Sequence, residues 1–194
     1  MGIIINRRRV MGKRLPYDAE IEYLESSGTQ YINTDIKLFE YGGATTVEFS
    51  MDVYVNTGQR GQCTIVNTML ERHPYPGIVI RTNGNNIYYN VQGRESKIGT
   101  CGIFQHITKI ENVSFEHDTP TTIFAGLNGN NVPWRYCNLK LYRLSIKKDS
   151  ILLFDAYPVR IEQTGYLYDK VSGQLFGNAG TGEFILGPDV TLGR

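Results

Sequence analysis

The chain has 194 residues, a formal net charge of +1 and 41% hydrophobic residues. This apolar fraction excludes an intrinsically disordered chain, and the near-zero charge gives no overall attraction toward nucleic acid or anionic lipid. No apolar run approaches the ~18 residues of a membrane span. Five alanines stand against 19 isoleucines and 13 tyrosines. Because alanine is the best helix former and β-branched and aromatic residues favour strands, this composition argues against an all-α fold.

The first 20 residues differ from the rest in charge. Five positive charges fall within the first fourteen residues, and residues 21–194 carry a net charge of −2. A basic arm (1–20) before a mildly acidic body (21–194) predicts docking onto another chain. A solvated terminus and a salt-sensitive contact with nucleic acid are the alternatives. The positively charged residues of the arm are Arg7, Arg8, Arg9, Lys13 and Arg14.

The N-terminus and the cysteines indicate the compartment. Three isoleucines precede the positive charges, whereas a secretory signal needs an apolar region of ~7–15 residues after them. We expect a chain that folds in a reducing cytoplasm, or one that has lost a leader. Cys63, Cys101 and Cys137 form no CxxC pair, which argues against a zinc ribbon. Buried, unpaired thiols are expected, with one disulfide as the alternative.

Strand signals recur through the body. Residues 45–55 alternate strictly between apolar and polar, which predicts a strand with one buried face. The segment Asn83-Gly84-Asn85-Asn86 between two apolar runs predicts a hairpin, and the same tetrapeptide recurs at 128–131. Residues 137–146 and 151–157 read as another strand pair, whose change of apolar parity implies a bulge near Tyr142-Arg143 or burial on both faces.

The remaining segments are shorter. Residues 102–110 are compatible with one helical turn, and the tail carries apolar pieces at 166–168, 174–176 and 184–186. In the tail, Asp169 and Gly173 predict a turn, with Asp169 accepting backbone hydrogen bonds and Gly173 supplying a positive φ. Many short strands with frequent turns favour a β-sandwich or barrel.

Two regions of the body are notable for their sequence: an opening segment, 21–34, and a closing region made of 140–146, 153–160, 165–173 and 176–182. They resemble the opening and closing regions of a concanavalin A-like (laminin G-like) jelly-roll domain. That group occurs in phage, prophage and surface proteins of gut bacteria (Bacteroidetes). The resemblance implies a two-sheet antiparallel jelly-roll sandwich behind the basic arm. Such folds include lectins, glucanases, adhesion modules and virion parts. Residues 5–12 are similar to the start of small structural proteins in phages of gut Bacteroidetes.

Catalytic and metal-binding patterns are weak. The glucanases of this fold carry Glu-x-Asp-x-Glu on one strand, and the corresponding residues here are Glu48, Ser50 and Asp52, so two positions depart from it. An outward polar face explains these residues more simply. Sequence order leaves a Ser-His-Asp triad open, although no Gly-x-Ser-x-Gly elbow is present.

Metal binding has little support from the sequence. His73, His106 and His117 show no metal-ligand spacing. The oxygens of residues 116–118 (Glu116, His117, Asp118) are a weak candidate for a Ca²⁺-binding site. The alternative interpretation of this segment is a solvated turn. We therefore expect no cofactor.

Two groups of residues have the chemistry of a glycan or partner site. Aromatic rings suit the C–H faces of sugars, and amides and charged groups suit their hydroxyls. Protein interfaces favour the same residue types, and a lone tryptophan is also typical of a core. The first group is Trp134, Arg135 and Tyr136, and the second is Asn85, Asn86, Tyr88 and Asn90.

These observations lead to one expectation and two alternatives. We expect a non-enzymatic structural or decoration protein of a phage-like particle, on the capsid or tail surface. Its arm would bind other particle proteins, and its lectin-like module would contact host glycans. Made in the host cytoplasm, it would reside in the virion as a homo-oligomer, away from membranes. The alternatives are a free carbohydrate-binding or adhesion module of a gut bacterium, located at the cell surface, and a glycoside hydrolase.

Overall fold

The computed structural model describes residues 9–10, 13–59, 61–71, 77–117 and 119–190. Within these ranges the regular elements are all β-strands, and helices are absent. The prediction of an all-β fold is therefore confirmed for the described part of the chain. Among these residues there is likewise no helix that could cross a membrane.

The described residues form twenty strands, numbered here in chain order. They are β1 (Arg9–Val10), β2 (Lys13–Arg14), β3 (Ala19–Glu20), β4 (Leu24–Ser27), β5 (Ile32–Asn33), β6 (Ala44–Val55), β7 (Thr64–Asn67), β8 (Leu70–Glu71), β9 (Ile78–Asn83), β10 (Asn86–Val91), β11 (Arg94–Thr100), β12 (Phe104–Ser114), β13 (Thr122–Ile123), β14 (Gly126–Asn128), β15 (Pro133–Trp134), β16 (Asn138–Lys148), β17 (Ile151–Ile161), β18 (Thr164–Asp169), β19 (Leu175–Phe176) and β20 (Ile185–Leu186).

Two large sheets contain most of these strands. The nine-stranded sheet has the order β12-β6-β16-β17-β18-β19, with β3, β4 and β20 paired alongside, and the six-stranded sheet has the order β11-β10-β9-β7-β13-β5. Two small sheets complete the fold: the hairpin β1-β2, and β15-β14-β8, in which β14 and β8 run parallel. All other pairings described are antiparallel. One hydrophobic core contains side chains from both large sheets, which is consistent with a β-sandwich.

Strand β6 lies next to the edge strand β12 of the nine-stranded sheet, with β16 on its other side. Its predicted alternation is confirmed. Val47, Phe49, Met51, Val53 and Val55 are at most 1% exposed, whereas the residues between them are half-buried on the opposite side. That opposite side is called the outer face below.

A bulge in β16 reverses its side-chain alternation, as the parity of its apolar residues predicts. Lys140 pairs with Tyr54 before the bulge, and Arg143 pairs with Asp52 after it. Tyr142 is the additional residue. Because Tyr54 and Asp52 both lie on the outer face, the bulge places Lys140 and Arg143 on that face although three positions separate them.

The prediction of a helical turn within residues 102–110 is wrong, because most of this segment belongs to β12. This strand pairs with β6 along its whole length, from Phe104 opposite Tyr54 to Ser114 opposite Ala44. Its apolar residues at 104, 107 and 110 have a three-residue spacing that resembles a helical face. In the strand they alternate instead, so that Ile107 is buried while residues 104 and 110 are exposed.

The two repeated Asn-Gly segments both form turns, as predicted. Asn83 pairs with Asn86 across a two-residue turn in which Gly84 has a φ of +59°. In the second segment, which joins β14 to β15, Asn128 Oδ1 accepts hydrogen bonds from the backbone N–H groups of Asn130 and Val132. Local side-chain and backbone preferences therefore determine both turns.

The hairpin between β16 and β17 turns at Asp149 and Ser150, which have φ values of +49° and +66°. A non-glycine residue in this region costs about 1 kcal/mol. Ser150→Gly is therefore expected to raise the free energy of unfolding by about 0.5–1 kcal/mol. Urea denaturation measures the change. Ser145→Gly in β16 is the control, where glycine is expected to destabilise by about 0.5–1 kcal/mol; a loss of stability at both positions would contradict the prediction.

The turn predicted at Asp169 and Gly173 is confirmed. Asp169 is 1% exposed, and its carboxylate accepts hydrogen bonds from the backbone N–H groups of Asp155, Val171 and Ser172 at 2.8–3.1 Å. It also accepts one from the Ser172 hydroxyl at 2.6 Å. Gly173 has a φ of +74°. This carboxylate therefore joins the end of β18 to the middle of β17.

Candidate functional site

Trp134, Arg135 and Tyr136 do not form one open platform. The Arg135 guanidinium lies over the Trp134 ring, 4.1 Å from its centroid, so that one face of the indole is covered. The Tyr136 ring instead makes an edge contact with Tyr31, with the centroids 6.3 Å apart. Within the described chain, the buried Trp134 Nε1 has no hydrogen-bond partner.

Asn85, Asn86, Tyr88 and Asn90 lie on or beside the hairpin β9-β10, in a different part of the fold. Asn90 is 5% exposed, and its side-chain oxygen accepts a hydrogen bond from a backbone N–H of the next turn. Tyr88 is half-buried opposite Arg81 of β9. Strands β9 and β7 separate it from Arg135, whose backbone bonds to β7. The two predicted groups are therefore not parts of a common site, and binding by either stays a prediction.

The basic arm is described only in part. Arg7 and Arg8 lie outside the described residues, whereas the backbones of Arg9 and Arg14 pair in the hairpin β1-β2, as do those of Val10 and Lys13. Its role as an anchor stays a prediction.

The weak calcium candidate gains no support from the described geometry. His117 packs against the rings of Phe39 and Phe115, and its Nδ1 accepts a hydrogen bond from the backbone N–H of Thr119. Asp118 and His73 lie outside the described residues. Among the residues that are described, no group of three His, Cys, Asp or Glu side chains is placed to hold a metal ion.

The outer face of the nine-stranded sheet carries a polar cleft that the sequence analysis did not assemble. Its volume is about 300 Å³. The strand register aligns its side chains in rows across β12, β6, β16 and β17. This outer-face cleft is lined by residues that include Glu48, Ser50, Asp52, His106, Arg143, Ser145, Lys147, Leu152 and Asp155.

Asp52, His106 and Ser50 form a hydrogen-bonded chain on one side of the cleft. His106 Nδ1 lies 2.6 Å from Asp52 Oδ1. Its Nε2 lies 3.3 Å from the Ser50 hydroxyl and 3.0 Å from that of Thr108. The imidazole is thereby held by carboxylate and hydroxyl groups on two strands, while 61% of its side chain stays exposed to solvent.

Two ion pairs form the other side of the cleft. Arg143 donates two hydrogen bonds to the Asp155 carboxylate, at 3.0 and 3.1 Å. Lys147 Nζ lies 2.8 Å from Glu48 Oε1. Such partly exposed pairs contribute little stability. Their effect is to hold charged donors and acceptors in fixed positions along the cleft.

An aromatic cluster adjoins the cleft on the same face. The rings of Phe104 and Tyr142 meet edge to face with centroids 4.9 Å apart, and Tyr142 contacts Tyr23 at 5.5 Å. Lys140 Nζ lies 4.4 Å from the Tyr23 ring centroid. Phe104 is 58% exposed although it is a large apolar side chain. We call Tyr23, Phe104 and Tyr142 the aromatic cluster.

Both carboxylates at the outer positions of the glucanase-like pattern already have partners on neighbouring strands. Lys147 Nζ lies 2.8 Å from Glu48 Oε1, and His106 Nδ1 lies 2.6 Å from Asp52 Oδ1. Ser50 lies in the middle of β6, where the backbone N–H groups pair with β12 and β16. These N–H groups are therefore not free to stabilise the oxyanion that would form on a substrate attacked by the Ser50 hydroxyl.

Sequence reasoning found one strand of this site and missed the others. The alternation of β6 already assigned Glu48, Ser50 and Asp52 to one polar face. The opposing His106 lay in a segment interpreted as a helical turn, and Arg143 follows the bulge. Only the register between strands shows that these side chains meet.

Comparison of the chain with protein-family models, with curated proteins and with solved structures finds no match. The functional interpretation therefore depends on the geometry of the outer face.

Proposed function

We propose that this protein is a non-enzymatic, lectin-like module whose outer face binds glycans. The observation that carries this proposal is the exposed aromatic cluster beside the outer-face cleft. Sugars present flat C–H faces, which pack against aromatic rings, and hydroxyls, which bond to fixed carboxylates and guanidinium groups. The outer face offers both kinds of surface next to each other. Binding sites typically combine a concave apolar surface with a few oriented polar groups.

The wider role we propose is that of a structural or decoration protein of a phage-like particle, built on a concanavalin A-like jelly roll. Two large antiparallel sheets sharing one core support that fold assignment. The basic residues before the body support attachment to other particle proteins. In this arrangement the arm binds the assembly and the outer face contacts the host. A free adhesion module would use the same outer face, so location distinguishes the two roles.

Glycan binding is tested by the substitution Phe104→Ala. The truncation removes an exposed ring of the aromatic cluster without opening a core cavity, so the fold is retained. We expect an array of neutral and acidic oligosaccharides to identify a ligand for the unmodified chain. Titration calorimetry with that ligand is expected to show affinity reduced about tenfold or more, the loss of one central aromatic contact.

The matched control is Ile110→Ala. Ile110 is 56% exposed on the outer face of the same strand, outside the aromatic cluster and the lining of the cleft. Its truncation is expected to leave affinity within twofold. If no oligosaccharide binds, or if both variants bind equally well, the outer face is not a glycan site.

Attachment to a particle is tested by deleting residues 1–14. The deletion stops there because Tyr17 is 1% exposed, and its hydroxyl lies 2.7 Å from that of Tyr157. The strand Ala19–Glu20 also pairs with β17. Mass spectrometry of purified particles is expected to find the full chain in stoichiometric amount and to miss the shortened one. Incorporation of the shortened chain would exclude the arm as the anchor, and absence of the full chain would favour a free adhesion module.

A further inference from the structure

The three cysteines are unpaired and buried, as the sequence predicts, and two of them belong to different sheets. Cys63 directly precedes β7 of the six-stranded sheet, and Cys137 directly precedes β16 of the nine-stranded sheet. The backbone N–H of Thr64 donates to the carbonyl of Arg135 at 2.7 Å. This bond holds the two cysteine-bearing segments side by side where the sheets meet.

The two thiols differ in acidity. The pKa of Cys63 is lowered to about 7, chiefly because its thiolate accepts a hydrogen bond from the thiol of Cys137. The Thr82 hydroxyl and the positive charge of Arg135 act in the same direction, against the effect of burial. Burial raises the pKa of Cys137 well above its usual range. At neutral pH the pair therefore consists of a partly ionised thiol next to a protonated one.

A cavity of about 440 Å³ is lined by one of the two cysteines, Cys63, which is 5% exposed. Cys63 lines it together with Gln59, Tyr136, Asn138 and the glycines at 28 and 58. Cys137 is 0% exposed and is not among the lining residues. A small oxidant that enters the cavity therefore meets Cys63 first. Accessibility and thiolate character are the two properties that make a cysteine reactive.

We propose that Cys63 and Cys137 are an oxidation site, at which hydrogen peroxide converts the two thiols into a disulfide that joins the two sheets. The Cys63 thiolate attacks one peroxide oxygen, the O–O bond breaks, and the leaving hydroxide takes a proton to become water. The resulting sulfenic acid at Cys63 is attacked by the sulfur of Cys137, which loses its proton as the S–O bond breaks and a second water leaves. Two thiols are oxidised, and one peroxide is reduced to two waters.

The disulfide closes a long loop between the sheets. Such cross-links act mainly by restricting the unfolded chain, and more so for long loops. We expect the oxidised protein to show a melting temperature about 5–15 °C above that of the reduced protein. The chain would thus fold with free thiols in a reducing cell and become more stable in an oxidising exterior. This inference does not depend on glycan binding.

The test treats the reduced, folded full-length chain with hydrogen peroxide at pH 7 and maps the products by mass spectrometry. A loss of two hydrogen atoms is expected, with a cross-linked peptide pair containing Cys63 and Cys137. Cys137→Ser is expected to stop at the sulfenic acid, which dimedone captures at Cys63. Cys101→Ser is the matched control and is expected to form the same disulfide.

Three results would overturn the proposal. These are a disulfide that includes Cys101, thiols that oxidise no faster in the folded chain than in urea, and a melting temperature unchanged by oxidation. If Cys137→Ser fails to fold, the rate of Cys63 alkylation in the unmodified chain supplies a second measurement. That rate is expected to rise with a midpoint near pH 7, whereas a midpoint near that of a free thiol, about 8.5, would count against the pair.

Discussion

Replacing Phe49 with alanine is expected to lower the free energy of unfolding by about 3–5 kcal/mol. Phe49 is 0% exposed in the middle of β6, with Lys109 and Ile146 opposite it on the two neighbouring strands. Its ring belongs to the core shared by the two large sheets. Truncation leaves a cavity that paired strands on both sides cannot close by moving together. Since a domain is stable by only about 5–15 kcal/mol, this loss is a large fraction of the total.

Urea denaturation monitored by circular dichroism measures the effect of Phe49→Ala. Ser50→Ala on the outer face of the same strand is the control, and it is expected to change stability by no more than about 0.5 kcal/mol. A loss below about 1 kcal/mol for Phe49→Ala would mean that the two sheets do not pack over this ring as described.

The second large effect is expected at Asp169. Asp169→Ala is expected to cost about 3 kcal/mol, because it removes a carboxylate that satisfies three backbone N–H groups and a hydroxyl. The amide of Asp155 would then stay buried without its acceptor. Asp169→Asn is expected to cost less, since one side-chain oxygen remains to accept from this amide while the bonds to Ser172 are lost.

The same urea denaturation ranks these variants against Asp35→Asn. Asp35 is exposed and has a φ of +57°, which asparagine tolerates, so this control is expected to be nearly neutral. Equal stability of Asp169→Ala and the unmodified chain would show that the closing turn is held by its backbone alone.

The features predicted correctly from sequence depend on short-range patterns. The alternation of β6, the Asn-Gly turns, the bulge in β16 and the Asp169 turn are each determined by a few neighbouring residues. The errors and gaps concern pairing between distant segments. Residues 104–110 have an apolar spacing that fits a helix locally, and only the long antiparallel contact with β6 makes them a strand. Tertiary context overrides local preference in such cases.

The candidate site shows even more strongly that short-range patterns do not reveal which distant segments pair. The three polar residues of β6 were recognised as a face, but His106 and Arg143 reach it through the register of two further strands. Conversely, Trp134 was selected by residue type, and its chain neighbour Arg135 covers one side of its ring. Residue type identifies chemistry that suits a ligand, whereas the fold decides which of those residues meet.

The bulge at Tyr142 makes this position of β16 tolerant of a change in chain length. Tyr142 is the residue that lacks a partner on β6, because Leu141 pairs with Val53 and Arg143 pairs with the next residue, Asp52. Deleting Tyr142 alone would therefore leave Leu141 facing the core and Arg143 on the outer face, and it would remove only the bulge and one ring of the aromatic cluster. A single-residue deletion within β6, which alternates strictly, would instead turn the rest of that strand over and disrupt the core. Natural variation in this protein should therefore include loss of Tyr142 but no single-residue deletion in β6.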